Sequence, residues 1–349
     1  MRYLCGNFDA MIRLTLNDFT FSSALPDSFN IEQMTTDSVE VSITLQGQCI
    51  YTTKLYEKNG VATFYELRQI VEQNMITRGL TLASFEVSVE DDDNNEELYD
   101  AKYIIFSKYR NTNELNSEFL LSHFLVNRTY YTMPRGRSAT IPFFATESES
   151  FTPYYICKFE RNGEVRSYRL NYNMYHYNQP RIYNITIDPT TIKTLVDGQE
   201  GGNCGQLLSF EVHVGYRSMT VFVVDENPVA QFHFRNSYNA LESIFVFGTT
   251  TFKTEVSKKE AVSQNVISFY DKSVSRKWEV KTVPLTLEEA MWYNEFLESD
   301  KVTVELSQDY TDVEVLISDI TSEISDSAKD QVHIKFSWKY NDNAYWLSP

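Results

Sequence analysis

The chain has 349 residues, 42% of them hydrophobic and 14% aromatic, and a formal net charge of −17 at pH 7. That length exceeds what a single core usually supports, so two or three domains are expected. The acidic balance argues against a nucleic-acid surface, which needs Lys and Arg gathered on one face, and against docking on anionic membranes.

No apolar run approaches the roughly 20 residues that span a bilayer. The first residues, "MRYLCGNFDAMIRLTLNDF", lack the continuous apolar stretch of a secretory signal. Four cysteines at 5, 49, 157 and 204 form no C-x-x-C pair and read as reduced thiols of a chain folded in the cytosol. The 23 Tyr and 23 Phe favour half-buried strands.

Residues 1–110 alternate as strands do, in "MIRLTL", "SVEVSITL", "QCIYTTKLY" and "SFEVSVE". One helix is expected among them at 63–78. Thr63 and Glu66 have the spacing of a capping box, Phe64, Leu67, Ile70, Val71 and Met75 share a helical face, and Gly79 suits a left-handed stop. Residues 111–137 read as a connector, with helical spacing at Leu115, Phe119 and Phe124 and a basic end broken by Pro134 and Gly136.

Residues 138–227 return to strands around the short helix "DPTTIKTLVDG", capped by Asp188 with Pro189 first and Gly198 after its end. Residues 228–349 hold more strands and a helix at 286–298. There Thr286 and Glu289 form a second capping box, and Leu287, Ala290, Met291 and Leu297 are expected to face inward. The fold class is therefore mainly β. Three consecutive antiparallel sandwich-like or barrel-like domains are expected, the first and third each carrying one amphipathic helix.

Signatures of chemistry are missing: there is no H-E-x-x-H, G-x-S-x-G, P-loop or dinucleotide fingerprint. His123, His176, His213, His233 and His333 are too scattered to suggest a metal site. The acidic run "EDDDNNEE" at 90–97 fails the EF-hand spacing and reads as a solvated hairpin tip, with an ion site as the sharper alternative. "DGQEGGNCG" at 197–205 lacks the Lys and following helix of a phosphate cradle. Cys204 would need a base such as His176 or His213 to act as a nucleophile, and Glu147 and Glu149 make an acid/base pair only if space allows. No catalytic, cofactor-binding or metal-ligating residue is assigned, and no cofactor is expected.

Contact residues are better candidates. In "YRLNYNMYHYNQPRIYN", Tyr168, Leu170, Tyr172 and Met174 share one strand face, while Tyr175 and Tyr177 fall on the other. Tyr is enriched in contacts between proteins, so Tyr172, Tyr175 and Tyr177 are candidate interface residues beside ordinary strand packing. Arg128, Arg135 and Arg137 read as a connector braced against acidic domains, and Arg135 and Arg137 as possible partner contacts.

Four segments in order, "LYEKNGVATFYELRQIVE", "FLLSHFLVNRTYYTMPRGRSATIPFFA", "FHFRNSYNALESIFVFG" and "PLTLEEAMWYNEFLESDKVTVEL", resemble β-rich virion structural proteins of Bacteroides-type phages and prophages. The resemblance implies a tail or baseplate component, folded in the host cytoplasm and located in the virion. Its partners would be copies of itself and other virion proteins, in a ring or another homo-oligomer, with no sequence-specific nucleic acid and no membrane. Two alternatives remain open. One is a glycan-binding or adhesion module using Tyr175, Tyr177 and Tyr183, and the other is a hydrolase with dispersed carboxylates.

Overall fold

The computed structural model describes residues 11–34, 36–91, 96–108, 117–146, 150–172, 175–176, 180–263, 266–306, 311–322 and 332–341. The chain is mainly β and forms three successive strand-rich units. The first contains β1 (Met11–Arg13), β2 (Phe19–Phe21), β3 (Ser28–Glu32), β4 (Ser38–Leu45), β5 (Gln48–Tyr56), β6 (Val61–Tyr65), α1 (Leu67–Arg78), β7 (Leu82–Asp91) and β8 (Glu96–Ile105). Two sheets, β1-β3-β6 and β2-β8-β7-β4-β5, enclose a core of alternating residues such as Val39, Val41 and Ile43. Leu67, Val71 and Met75 of α1 close it.

Helix α1 starts four residues later than the motif at Thr63 suggests. Thr63 lies on β6, paired with Asn30 of β3, and Phe64 stacks on Phe29 at 5.1 Å. Tertiary strand pairing overrides the local capping motif there. Glu66 instead takes a left-handed N-cap with no side-chain bond, and Gly79 ends the helix at φ 65° as expected.

The middle unit holds α2 (Ser117–Ser122), β9 (Tyr130–Pro134), β10 (Ala139–Ala145), β11 (Ser150–Phe151), β12 (Tyr154–Arg161), β13 (Glu164–Asn171), β14 (Tyr175–His176), β15 (Arg181–Ile187), α3 (Pro189–Gln199), β16 (Gln206–Val214) and β17 (Arg217–Val224). Its main sheet is β13-β12-β16-β17-β9. The basic end of the expected connector is thus a sheet strand, β9, parallel to β17. Asp188 caps α3 through Thr190 and Thr191, and the helix runs through Gly198 to Gln199.

The third unit comprises β18 (Ala230–Arg235), β19 (Leu241–Val246), β20 (Gly248–Ser263), β21 (Val266–Thr282), α4 (Leu287–Leu297), β22 (Val302–Leu306), β23 (Thr311–Ser322) and β24 (Ile334–Tyr340). Its seven-stranded sheet has the order β19-β18-β22-β23-β24-β21-β20. The two edge strands are consecutive in the chain with Phe247 alone between them, so the sheet curls until its edges meet there. Gly248 permits this: a Cβ at that position would lie 2.1 Å from the Lys281 carbonyl oxygen.

Helix α4 lies against the curled sheet, and its Thr286–Glu289 capping box forms as expected. Its buried face differs from expectation. Ala290 and Leu297 are inside, but Leu287 and Met291 point outward, and Trp292, Tyr293 and Phe296 fill the core instead. Phe296 sits 5.2 Å from Phe232 and 5.6 Å from Phe234, so aromatic packing selects this rotation.

The units are joined by packing. Middle and third domains share one core running from Phe124 to Trp338. A smaller cluster, including Phe21, Leu120, Phe144 and Tyr238, touches all three. The turn Asn236–Ala240 is the keystone. Asn239 Nδ2 donates to the Met75 and Leu80 carbonyls of the first domain, and Asn236 Nδ2 donates to the Leu125 carbonyl. The Ser237 N–H donates to Glu295 of α4.

Candidate interaction surface

The longest strands, β20 and β21, pair from Gly248↔Thr282 to Ser263↔Val266. The neighbouring strand β24 meets β21 only from Trp278 to Lys281. Beyond Trp278, among the described residues, the two strands pair only with each other, as a ribbon projecting roughly 35 Å at about 3.3 Å per residue. Sequence patterning suggests separate strands at "FKTEV", "VISFY" and "KWEVKTV", because strands this long are uncommon.

The ribbon is amphipathic. One face carries apolar pairs, Phe252 opposite Trp278, Val256 opposite Val274, and then Phe269 and Ile267, alternating with Thr254 opposite Arg276 and Lys258 opposite Lys272. The other carries Lys253, Glu255, Ser257 and Lys259 opposite Lys277, Ser275, Ser273 and Asp271. A β-bulge between Lys259 and Glu260 leaves Tyr270 unpaired and shifts the phase of β21 by one residue, which brings Phe269 and Ile267 onto the apolar face. These apolar side chains are half or more exposed: Phe252 52%, Phe269 59% and Ile267 66%.

The same face is buried at the root, where Val280 and Phe336 lie in the core. The core-facing stripe of the sheet therefore continues past the body of the protein. Trp278 stacks on Trp338 with centroids 4.1 Å apart, and Phe252 and Tyr340 pack on Trp278 at 5.2 and 5.1 Å. On the polar face Lys277 meets Asp319 at 3.0 Å, and Lys253 meets Glu279 at 2.6 Å. The Lys277 ammonium, with hydrogen bonds from Ser337 and Ser318, holds the Asp319 carboxyl below its ordinary pKa. A ribbon of two strands has little stability alone in water, and its edges and apolar face invite a further strand.

The residues singled out from sequence lie elsewhere, in the middle domain. Tyr172 is partly buried against the shared core, its ring 5.9 Å from Tyr155. Tyr175 lies on β14 opposite Phe151, and Tyr177 falls outside the described residues. Arg135 Nε pairs with Asp225 at 2.7 Å, and Arg137 with Glu305 at 3.3 Å. Arg128 is different in kind. Its buried guanidinium pairs with the buried Glu242 at 2.7 Å and lies over the rings of Tyr131, at 3.5 Å, and Trp292, at 4.0 Å.

Glu242 also accepts from Trp292 Nε1 at 3.0 Å and Asn236 Nδ2 at 2.9 Å. Burial pushes its pKa up to about 7, with Arg128 opposing and Glu295 adding to the rise. This cluster locks the middle and third domains. A cavity of about 140 Å³ lies beside it, lined in part by Tyr130, Phe247, Glu288 and Tyr293.

Other chemical candidates resolve into structural roles. Ser243 Oγ lies 2.9 Å from His233 Nδ1, whose Nε2 is 3.5–3.6 Å from Asp312 and Glu305. This resembles a nucleophile–base–acid line, but Ser243 is only 4% exposed and is simply the cross-strand partner of His233. Cys204 is buried, and burial followed by the neighbouring Asp197 raises its pKa, which favours the inert thiol. His213 stacks on Tyr154. The acidic run sits at the β7–β8 hairpin, with its tip and the Glu147–Glu149 segment outside the described residues. Among the described residues, no group of three or more His, Cys, Asp or Glu could hold a metal ion, and no helix is long and apolar enough to cross a membrane.

No family model matches the sequence, and no curated protein does. Two structures of the plexin A4 extracellular region are similar over 94% of this chain, at 8% and 9% identity with TM-scores of 0.23 and 0.21. The chain spans 36% and 31% of their lengths. Likeness at this level assigns the chain to no family.

Proposed function

We propose that this chain is a virion structural protein, a tail or baseplate building block that works through contacts with copies of itself and with other virion proteins. The observation that carries the reading is the projecting ribbon, with exposed apolar side chains along one face and, among the described residues, unpaired edges. Strand addition from a second copy would pair an edge, and packing of two ribbons face to face would cover the apolar side chains. Repeated head to tail, such a contact closes rings. The phage resemblance of four segments in order supports the virion setting.

Native mass spectrometry and electron microscopy of the purified protein test this. Homo-oligomers, as rings or another closed assembly, are expected for the unaltered chain, and monomers for a variant carrying Ile267→Ser and Phe269→Ser. A wild-type monomer at tens of micromolar would overturn the reading.

A further inference from the structure

The seam between the first and third domains holds a cavity of about 180 Å³. Four cationic side chains line it, Arg78, Lys108, Arg235 and Lys301, against the single carboxylate of Asp300. They come from the end of α1, the segment after β8, the end of β18 and the loop between α4 and β22. In a chain of net charge −17, such a gathering runs against the overall balance.

Arg128 and Arg137, which reach from the middle to the third domain, each meet a carboxylate there. Among the described residues, none of the four seam cations has a carboxylate within 4 Å. Arg235 is half-buried, and burial lowers its pKa, as desolvating a cation should. Its Nη1 donates to the Asn239 carbonyl at 2.9 Å, and Arg78 Nη1 donates to the Leu45 carbonyl at 3.1 Å. A guanidinium carries five N–H donors, so each keeps several to offer. The negative end of the α1 dipole explains a cation at Arg78. It does not account for Lys108 and Lys301, which lie on other elements.

We propose that this seam binds a small multivalent oxyanion, of phosphate or polycarboxylate type. The arginine forks would take its oxygens and the two lysines would close over its charge. Binding would tie the first domain to the third across an interface otherwise held by Asn239 and its neighbours. This site is independent of the ribbon, so a chain that fails to assemble can still bind the anion.

Isothermal titration calorimetry on the full chain tests the proposal, with inorganic phosphate, pyrophosphate and citrate at constant ionic strength and chloride as control. Saturable binding of one anion per chain is expected, and pyrophosphate against citrate separates the two oxyanion types. The melting temperature should rise with the same anions. Lys108→Gln with Lys301→Gln, both exposed and remote from the core, should weaken binding about tenfold or more, near 1.4 kcal/mol. Arg235→Gln should abolish it. Two results would overturn the site: no saturable heat or melting shift beyond the chloride control, or unchanged affinity in the double lysine variant. Binding should persist in the Ile267→Ser, Phe269→Ser variant.

Discussion

Trp278 and Trp338 stack nearly parallel, 11° apart, at the point where the ribbon leaves the body of the third domain. Trp338 also contacts Phe232, at 5.6 Å, so the pair connects the exposed apolar face to the core. Trp338→Ala should cost about 3–5 kcal/mol, the usual range for removing a large buried ring. Urea unfolding measures it, and a loss under about 1 kcal/mol would mean the root is anchored by other contacts.

Ile267→Ser with Phe269→Ser acts on a different quantity. Both side chains are exposed, so the unfolding free energy of the monomer should stay within roughly 0.5 kcal/mol of wild type. The dissociation constant of the oligomer should rise at least tenfold. Sedimentation velocity and chemical denaturation on one preparation separate the two effects.

Glu242 predicts a pH dependence of stability. Its folded pKa of about 7 lies above the ordinary 4.5, so the folded state holds the proton more tightly than the unfolded chain. This contribution is complete below the unfolded pKa and is lost as pH rises toward and through 7. The slope should approach a loss of about 1.4 kcal/mol per pH unit within that window. Glu242→Gln keeps an acceptor for Trp292 and should flatten the slope between pH 5 and 7, while lowering stability above pH 7, where Glu242 otherwise carries the counter-charge of Arg128. Denaturation midpoints at pH 5, 6 and 7.5 decide the matter, and identical slopes in both proteins would refute it.

Asn239→Ala should weaken the seam between the first and third domains. It strips the Met75 and Leu80 carbonyls of a donor and places Ala at φ 56°. The cost should be about 2–4 kcal/mol, summed from an unmet hydrogen-bonding group and a left-handed backbone. Scanning calorimetry should show the first domain melting earlier. A single unshifted transition would count against the keystone role.

Two identical motifs divide what the sequence reveals from what it conceals. Thr286-x-x-Glu289 caps α4, and Thr286→Ala should lower stability by about 1 kcal/mol. Thr63-x-x-Glu66 has the same spacing yet sits on β6, where Thr63 donates to Asn30, so Thr63→Ala should cost less than half as much. Thermal denaturation of the two variants compares them directly. Local spacing cannot distinguish the cases, because the strand that captures Thr63 is more than thirty residues away. The mainly β class was legible throughout, since alternation is a local property. The rotation of α4 was not, because aromatic packing with Phe232 and Phe234 decides it.

The exposed face of the ribbon was not legible in the sequence for a related reason. Tyr172 stands out in the sequence by its crowded aromatic surroundings, yet it partly serves the core. Phe252, Ile267 and Phe269 look like ordinary core positions, since alternation reports which side a residue faces and not whether a body lies there. Arg128, Arg135 and Arg137 read alike in the sequence, but only Arg128 is drawn between two rings and a buried carboxylate.

The self-paired stretch of β20 and β21 behaves as an adjustable ruler. Removing two residues from each strand would shorten its reach by roughly 6–7 Å and leave Val256 and Val274 on the same side, whereas removing one would turn the greasy side over. Span can therefore drift over generations in even steps, with the globular part untouched and the sticky side preserved.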